Sequence, residues 1–163
     1  MRILEQKKVW ILTDEIYKIA VDMIHQTISQ LTKFDAVIGI RNGGQHLGQD
    51  LAKIEGIPFY FVEALYNATN VPYSNTLPSV SIVSSDISGL PAKLNVLLVD
   101  DISGTGNTLI KVRDFVSQLI APSSIVTVTL CRNEGCSLTP DLFVWAPRDW
   151  VIFPWVQIYE EME

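Results

Sequence analysis

The residue types with the most chemical capacity are gathered in one stretch, Asn95-Val-Leu-Leu-Val-Asp-Asp-Ile-Ser-Gly-Thr-Gly-Asn-Thr-Leu109. Two adjacent carboxylates, Asp100 and Asp101, follow an apolar run and precede a turn of small residues. Carboxylates accept hydrogen bonds from vicinal sugar hydroxyls, and with a divalent cation they tolerate a polyphosphate nearby. Ser103, Gly104, Thr105, Gly106, Asn107 and Thr108 bring backbone N–H groups and hydroxyls to the start of a helix, where they form a cradle for a phosphate dianion. The two chemistries together predict a phosphorylated ribose as ligand.

Other readings of these letters meet particular obstacles. Gly104-Thr-Gly106 lacks the lysine of a P-loop, and Leu109 stands where a dinucleotide fingerprint has its third glycine. Phosphate-accepting receiver domains carry a similar acidic pair on their first strand with most of the domain after it, whereas Asp101 lies well past the middle of these 163 residues. The bland alternative is a pair of aspartates capping an ordinary βα turn. Consecutive acids at the end of a buried strand, beside a phosphate-shaped turn, are hard to justify as packing.

Composition narrows the partners. A formal charge of -6 would repel nucleic acid and anionic membranes, so any phosphate site has to be local. Cys131 and Cys136 form a C-x₄-C pair with no histidine nearby, too few ligands for structural zinc, and read as two reduced cysteines at a strand end. The opening MRILEQKKVWIL lacks signal-peptide features and no long apolar run follows, so the expected address is cytoplasmic, with no membrane partner.

The elements that position the acidic turn alternate along the chain. Thr13 with Asp14 and Glu15 reads as a helix N-cap and acidic first turn. Ile16, Ile19, Ala20, Met23, Ile24, Ile28 and Leu31 then form a predicted core-facing stripe, with His25 just off it in a structural role. Ala36–Ile40 reads as a strand buried on both faces and stopped by Arg41-Asn-Gly-Gly44, with a helix following from about Gln45 to Glu55. Phe59–Leu65, Asn95–Val99 and Ile125–Leu130 repeat the strand pattern, and Leu109, Val112, Val116 and Leu119 form a helical stripe between the last two. This rhythm predicts one α/β domain, a central mostly parallel sheet flanked by helices. The polar stretch from 67 to 93, with a short strand at Val80–Val83, is too long for a routine connection and is expected to be a mobile flap over the site.

The strand, acid pair and Thr-Gly-x-Thr turn resemble the phosphoribosyl-pyrophosphate (PRPP) motif of the type I phosphoribosyltransferases. The resemblance runs in order through nearly the whole chain. Val37–Gly44 sits where that family has its pyrophosphate-contacting loop, and Leu65-Tyr66 where a Ser-Tyr pair opens a flexible hood. Asp141–Trp155 is similar to the ending of the xanthine-guanine branch, within a base-binding segment of about 131–157. On that likeness Trp150 stacks on the base and the main chain of Val151 reads its edge. Arg132 falls where purine-using relatives place a lysine that hydrogen-bonds an exocyclic oxygen, so charge is kept while geometry changes.

The resemblance implies Mg²⁺-bound PRPP with its 5-phosphate on Ser103–Thr108, its ribose hydroxyls on Asp100 and Asp101, and the metal at Asp101. Arg41, Asn42 and Gly43 would serve the leaving pyrophosphate. It also implies a nucleobase acceptor, a place in purine salvage, and a homo-oligomer, dimer or tetramer. Three departures bear on catalysis. Gly104 replaces the aspartate that 6-oxopurine relatives use to exchange a proton with the base. Asn42 takes the place of a basic residue before Gly-Gly, with Arg41 shifted one position earlier. The hood has no lysine or arginine before Lys93. The sequence therefore reads first as a transferase of ribose 5-phosphate from PRPP to a purine-like base. The alternatives are a catalytically weak or inactive PRPP- or nucleotide-binding regulator, and a transferase with an unusual acceptor.

Overall fold

The structure, a computed structural model, describes residues 9–67, 79–148 and 150–156. A six-stranded sheet runs in the order β4 (Ser79–Ser85), β3 (Phe59–Asn67), β2 (Ala36–Ile40), β5 (Asn95–Ser103), β6 (Ser124–Arg132), β7 (Leu142–Trp145). All neighbours are parallel except β3 and β4, so the expected α/β domain with a mostly parallel sheet is what the chain forms. Alternation along the buried strands divides the core. Val37, Leu97, Val99, Val128 and Leu130 face α1 (Asp14–Ile28) and α2 (Gly44–Glu55), whereas Ile38, Ile40, Val96 and Leu98 face α3 (Asn107–Ile120). Helices on both faces are why these strands read as continuous apolar runs.

Thr13 caps α1 as expected, its Oγ1 accepting from Ile16 N at 3.3 Å. The stripe of α1 is rotated from the predicted one. Tyr17, Ala20, Val21, Ile24 and Ile28 are buried, while Ile16, Ile19, Met23 and Leu31 are exposed. The cause lies in Tyr17, whose ring enters the core while its hydroxyl donates to Asp50 Oδ2 of α2 at 2.6 Å. A hydropathy pattern undervalues a tyrosine that can bury its ring and still satisfy its oxygen. His25 Nδ1 lies 2.6 Å from Glu55 Oε1 and ties α1 to α2. In α3, Ile120 is buried in place of the predicted Leu119, which is exposed.

β5 and β6 both run past the predicted ends, pairing as far as Ser103 with Arg132, so the two acids lie within the strand. Three short strands are not evident from the sequence pattern: β7, and the parallel pair β1 (Val9–Ile11) and β8 (Trp150–Ile152), which form a separate two-stranded sheet. Of the expected flap, residues 68–78 lie outside the described residues. The remainder holds β4, paired antiparallel to β3, and Ile87, which is fully buried. Cys131 and Cys136 are both free thiols, and among the described residues no helix is long and apolar enough to cross a membrane.

Candidate functional site

β5 carries the acids out of the core at its carboxyl end. Asp100 is buried, and its Oδ1 accepts from the Asp101 backbone N–H at 2.9 Å. Burial holds the Asp100 carboxyl well above the ordinary carboxylate range, and the charge of Asp101 raises it further. Burial likewise pushes Asp101 up to about 6, against the opposing hydrogen bond from the Ile102 N–H. Two desolvated carboxylates side by side resist being charged together, so a cation or several sugar hydroxyls arriving here would relieve them.

After the acids the chain turns through Ser103–Gly106 into α3. Gly106 adopts φ 86 as the residue before the helix, and a Cβ there would come 2.6 Å from Leu138 N, so only glycine fits both backbone and space. The segment from 133 to 138 braces the turn: Asn133 N donates to Ser103 O at 2.9 Å, Ser137 N to Thr105 O at 2.7 Å, and Ser103 Oγ to Leu138 O at 3.0 Å. Gly106, at the N-cap, has no side chain to cap α3, and the Asn107 N–H donates to Thr105 Oγ1 at 3.3 Å, which leaves the N–H groups of the rest of the first turn for a ligand. A cavity of about 250 Å³ opens over this turn, lined by Asp100, Ser103, Gly104, Thr105, Gly106 and Thr108, with Tyr66 of β3 across it.

The loop between β2 and α2 meets the acids from the other side. A Cβ built on Gly43 would collide with the Asp101 carboxyl group, and one on Gly44 would come 2.8 Å from the Asp100 Cα. The sequence-predicted Asp101 and Gly43 are thus in direct contact. Asn42 holds φ 77, a left-handed turn that asparagine tolerates. Arg41 is directed elsewhere: its guanidinium lies 4.5 Å over the Phe61 ring, with Nη1 3.4 Å from Glu63 Oε2.

A second cavity, of about 360 Å³, is lined by Asp101, Ile102, Gly104, Asn133, Trp150, Val151, Ile152, Phe153 and Val156. Trp150 is 65% exposed and is therefore not a core residue. The other tryptophans pack: Trp10 against Trp145, and Trp155 against Phe153, Tyr17 and His46 of α2, which seats the chain after β8. Val151 pairs with Trp10 in the two-stranded sheet and lines the cavity. Arg132 does not line it. Its guanidinium sits 4.7 Å over the Phe143 ring, with Nε buried and unpartnered. Asn133 and Ile102 were missed in the sequence; their only signal was adjacency to Arg132 and Asp101, which becomes informative once β5 is known to pair with β6 as far as Ser103 and Arg132.

The profile of the phosphoribosyl transferase domain matches residues 11–160. A search of the curated proteins returned no match. Among solved structures, a purine phosphoribosyltransferase from Pyrococcus horikoshii superposes with TM-score 0.81 at 24% identity, over 95% of this chain and 99% of that one. A xanthine-guanine-hypoxanthine phosphoribosyltransferase from Helicobacter pylori gives 0.77 at 16% identity, over 91% and 94%. A hypothetical protein from Neisseria gonorrhoeae with bound ppGpp gives 0.80 at 18% identity, over 95% and 93%. At these identities the neighbours carry the fold, and the profile match carries the family: the chain belongs to the phosphoribosyl transferase domain family.

Proposed function

We propose that the chain transfers ribose 5-phosphate from PRPP to a purine-like nucleobase, releasing pyrophosphate. The observation that carries this reading is the junction of the two cavities: the phosphate turn and the Trp150 cavity share Ile102 and Gly104, with Asp100 lining one and Asp101 the other. A ribose lying across that junction would put its phosphate on Ser103–Thr108 and its anomeric carbon toward a base on Trp150.

A ring nitrogen of the base would attack the anomeric carbon as the bond to pyrophosphate breaks, through an oxocarbenium-like state. The protein contributes alignment and charge, with no covalent nucleophile. Asp100 and Asp101 accept from the ribose hydroxyls and stabilise positive charge developing on the ring. Their oxygens, crowded and desolvated, suit Mg²⁺, which is commonly held by one or two carboxylates together with substrate phosphates. Asp101, packed on Gly43, would hold the ion, and when bound it would supply charge neutralisation for the leaving pyrophosphate. Asn42 and Gly43 would offer the pyrophosphate backbone contacts, and Arg41 would join them on release from Glu63. A cytoplasmic address and a dimeric or tetrameric assembly go with this reading.

A second reading is nucleotide binding with little or no turnover. It is favoured by Arg41, held by Glu63 and Phe61 away from the acids, and by the neighbour crystallised with ppGpp. Calorimetric titration with PRPP and Mg²⁺, followed by pyrophosphate release with a panel of bases, separates the two. Binding with base-dependent release supports transfer; binding without release from any base supports the second reading; no binding overturns both.

A further inference from the structure

The acceptor of the proposed transfer can be narrowed, and this narrowing rests on the transferase reading. The nearest atom to a Cβ built on Gly104 is Asn133 Nδ2, at 3.9 Å. The space that an acidic side chain at 104 would occupy is therefore faced by a neutral amide. Asn133 is fixed at the end of β6 by its backbone hydrogen bond to Ser103 O, and it lines the same cavity as Trp150 and Val151. Asn133 is exposed, and among the described residues no protein group hydrogen-bonds its side-chain amide, so a ligand in the cavity would replace water at both halves.

A second observation concerns cations. Among the described residues neither lysine nor arginine lines this cavity, and the nearby Arg132 is turned onto Phe143. A 6-oxopurine presents two neighbouring acceptors on its major-groove edge, the exocyclic oxygen and a ring nitrogen, and calls for two donors. A 6-aminopurine presents a donor beside an acceptor there, which one amide satisfies with its oxygen and its N–H together. We infer that Asn133 reads the acceptor, and that the cavity takes a planar heterocycle bearing an amino group beside a ring nitrogen, as 6-aminopurine does, in preference to a 6-oxopurine. Asn133 then sets specificity without titrating. The proton lost by the attacking nitrogen goes to the departing pyrophosphate.

The test needs no turnover. The full chain is titrated calorimetrically with adenosine 5-monophosphate, inosine 5-monophosphate and ribose 5-phosphate. The adenosine nucleotide should bind about tenfold or more tightly than the inosine nucleotide. Asn133→Leu should abolish that preference by weakening the adenosine nucleotide, with ribose 5-phosphate unchanged, and Asn133→Gln should restore part of it. Equal affinities in the unmutated protein, a preference for inosine, or a loss at Asn133→Leu that extends equally to ribose 5-phosphate would each overturn the inference. Ribose 5-phosphate binding without an adenosine preference sinks the inference alone. Absence of binding by all three sinks the transferase reading and the inference with it.

Discussion

The acid pair makes the most direct demands on the residues around it. In the folded chain both carboxyls sit above the ordinary range, so between that range and about 6 the native state holds more protons than the unfolded state. The sign follows: whatever stability the pair permits at low pH is eroded as pH rises through about 6. Asp101→Asn should therefore raise the thermal midpoint at pH 8, by on the order of 1–2 kcal/mol in stability, and make less difference at pH 4. The same substitution should weaken binding of PRPP with Mg²⁺ roughly tenfold or more, as expected for losing a charged acceptor. A variant that is less stable at pH 8, or that binds as tightly, would contradict the burial argument or the ligand assignment respectively. Gly43 is the steric counterpart. Since a Cβ there meets the Asp101 carboxyl group, Gly43→Ala should cost about 1–3 kcal/mol in denaturant unfolding, and wild-type stability would mean that the loop retreats freely.

At the scale of elements, β8 and the short segment after it build one wall of the second cavity. Trp150 is exposed on β8, so Trp150→Ala should leave stability within about 0.5 kcal/mol of the parent. Affinity for a nucleoside monophosphate should fall by roughly tenfold, the loss of one base–aromatic stack, with PRPP affinity unchanged. Equal losses for both ligands would make Trp150 a structural residue. The elements also explain what was legible beforehand. β2, β5 and β6 are apolar because helices cover both faces, and that pattern is local to the sequence. β1 and β8 are three residues each and exist only by pairing with one another across most of the chain, which no local pattern records. The phosphate turn could be read because glycine and hydroxyl residues lie consecutively at a strand-to-helix junction. The second cavity could not be read whole, because Asn133 and Ile102 reach it through strand register. The placement of Arg41 and Arg132 was hidden for a different reason: each lies over an aromatic ring supplied by a neighbouring strand, Phe61 or Phe143.

For the whole molecule, a six-stranded sheet presents its acid pair and phosphate turn at the carboxyl end of a central strand, where open α/β sheets form their crevices. A net charge of -6 around that crevice confines anion binding to built sites and predicts no general affinity for nucleic acid. Ligand binding to the folded state alone should stabilise it by mass action, by about 2.7 kcal/mol when PRPP and Mg²⁺ are present at 100 times the dissociation constant. A thermal midpoint unmoved by saturating ligand would contradict binding at this crevice. The measurement that reaches the central claim most directly is mass-spectrometric detection of product after the chain is incubated with PRPP, Mg²⁺ and a panel of bases. The account predicts a nucleoside monophosphate formed in step with pyrophosphate from at least one purine-like base. PRPP bound and left intact with every base would contradict it.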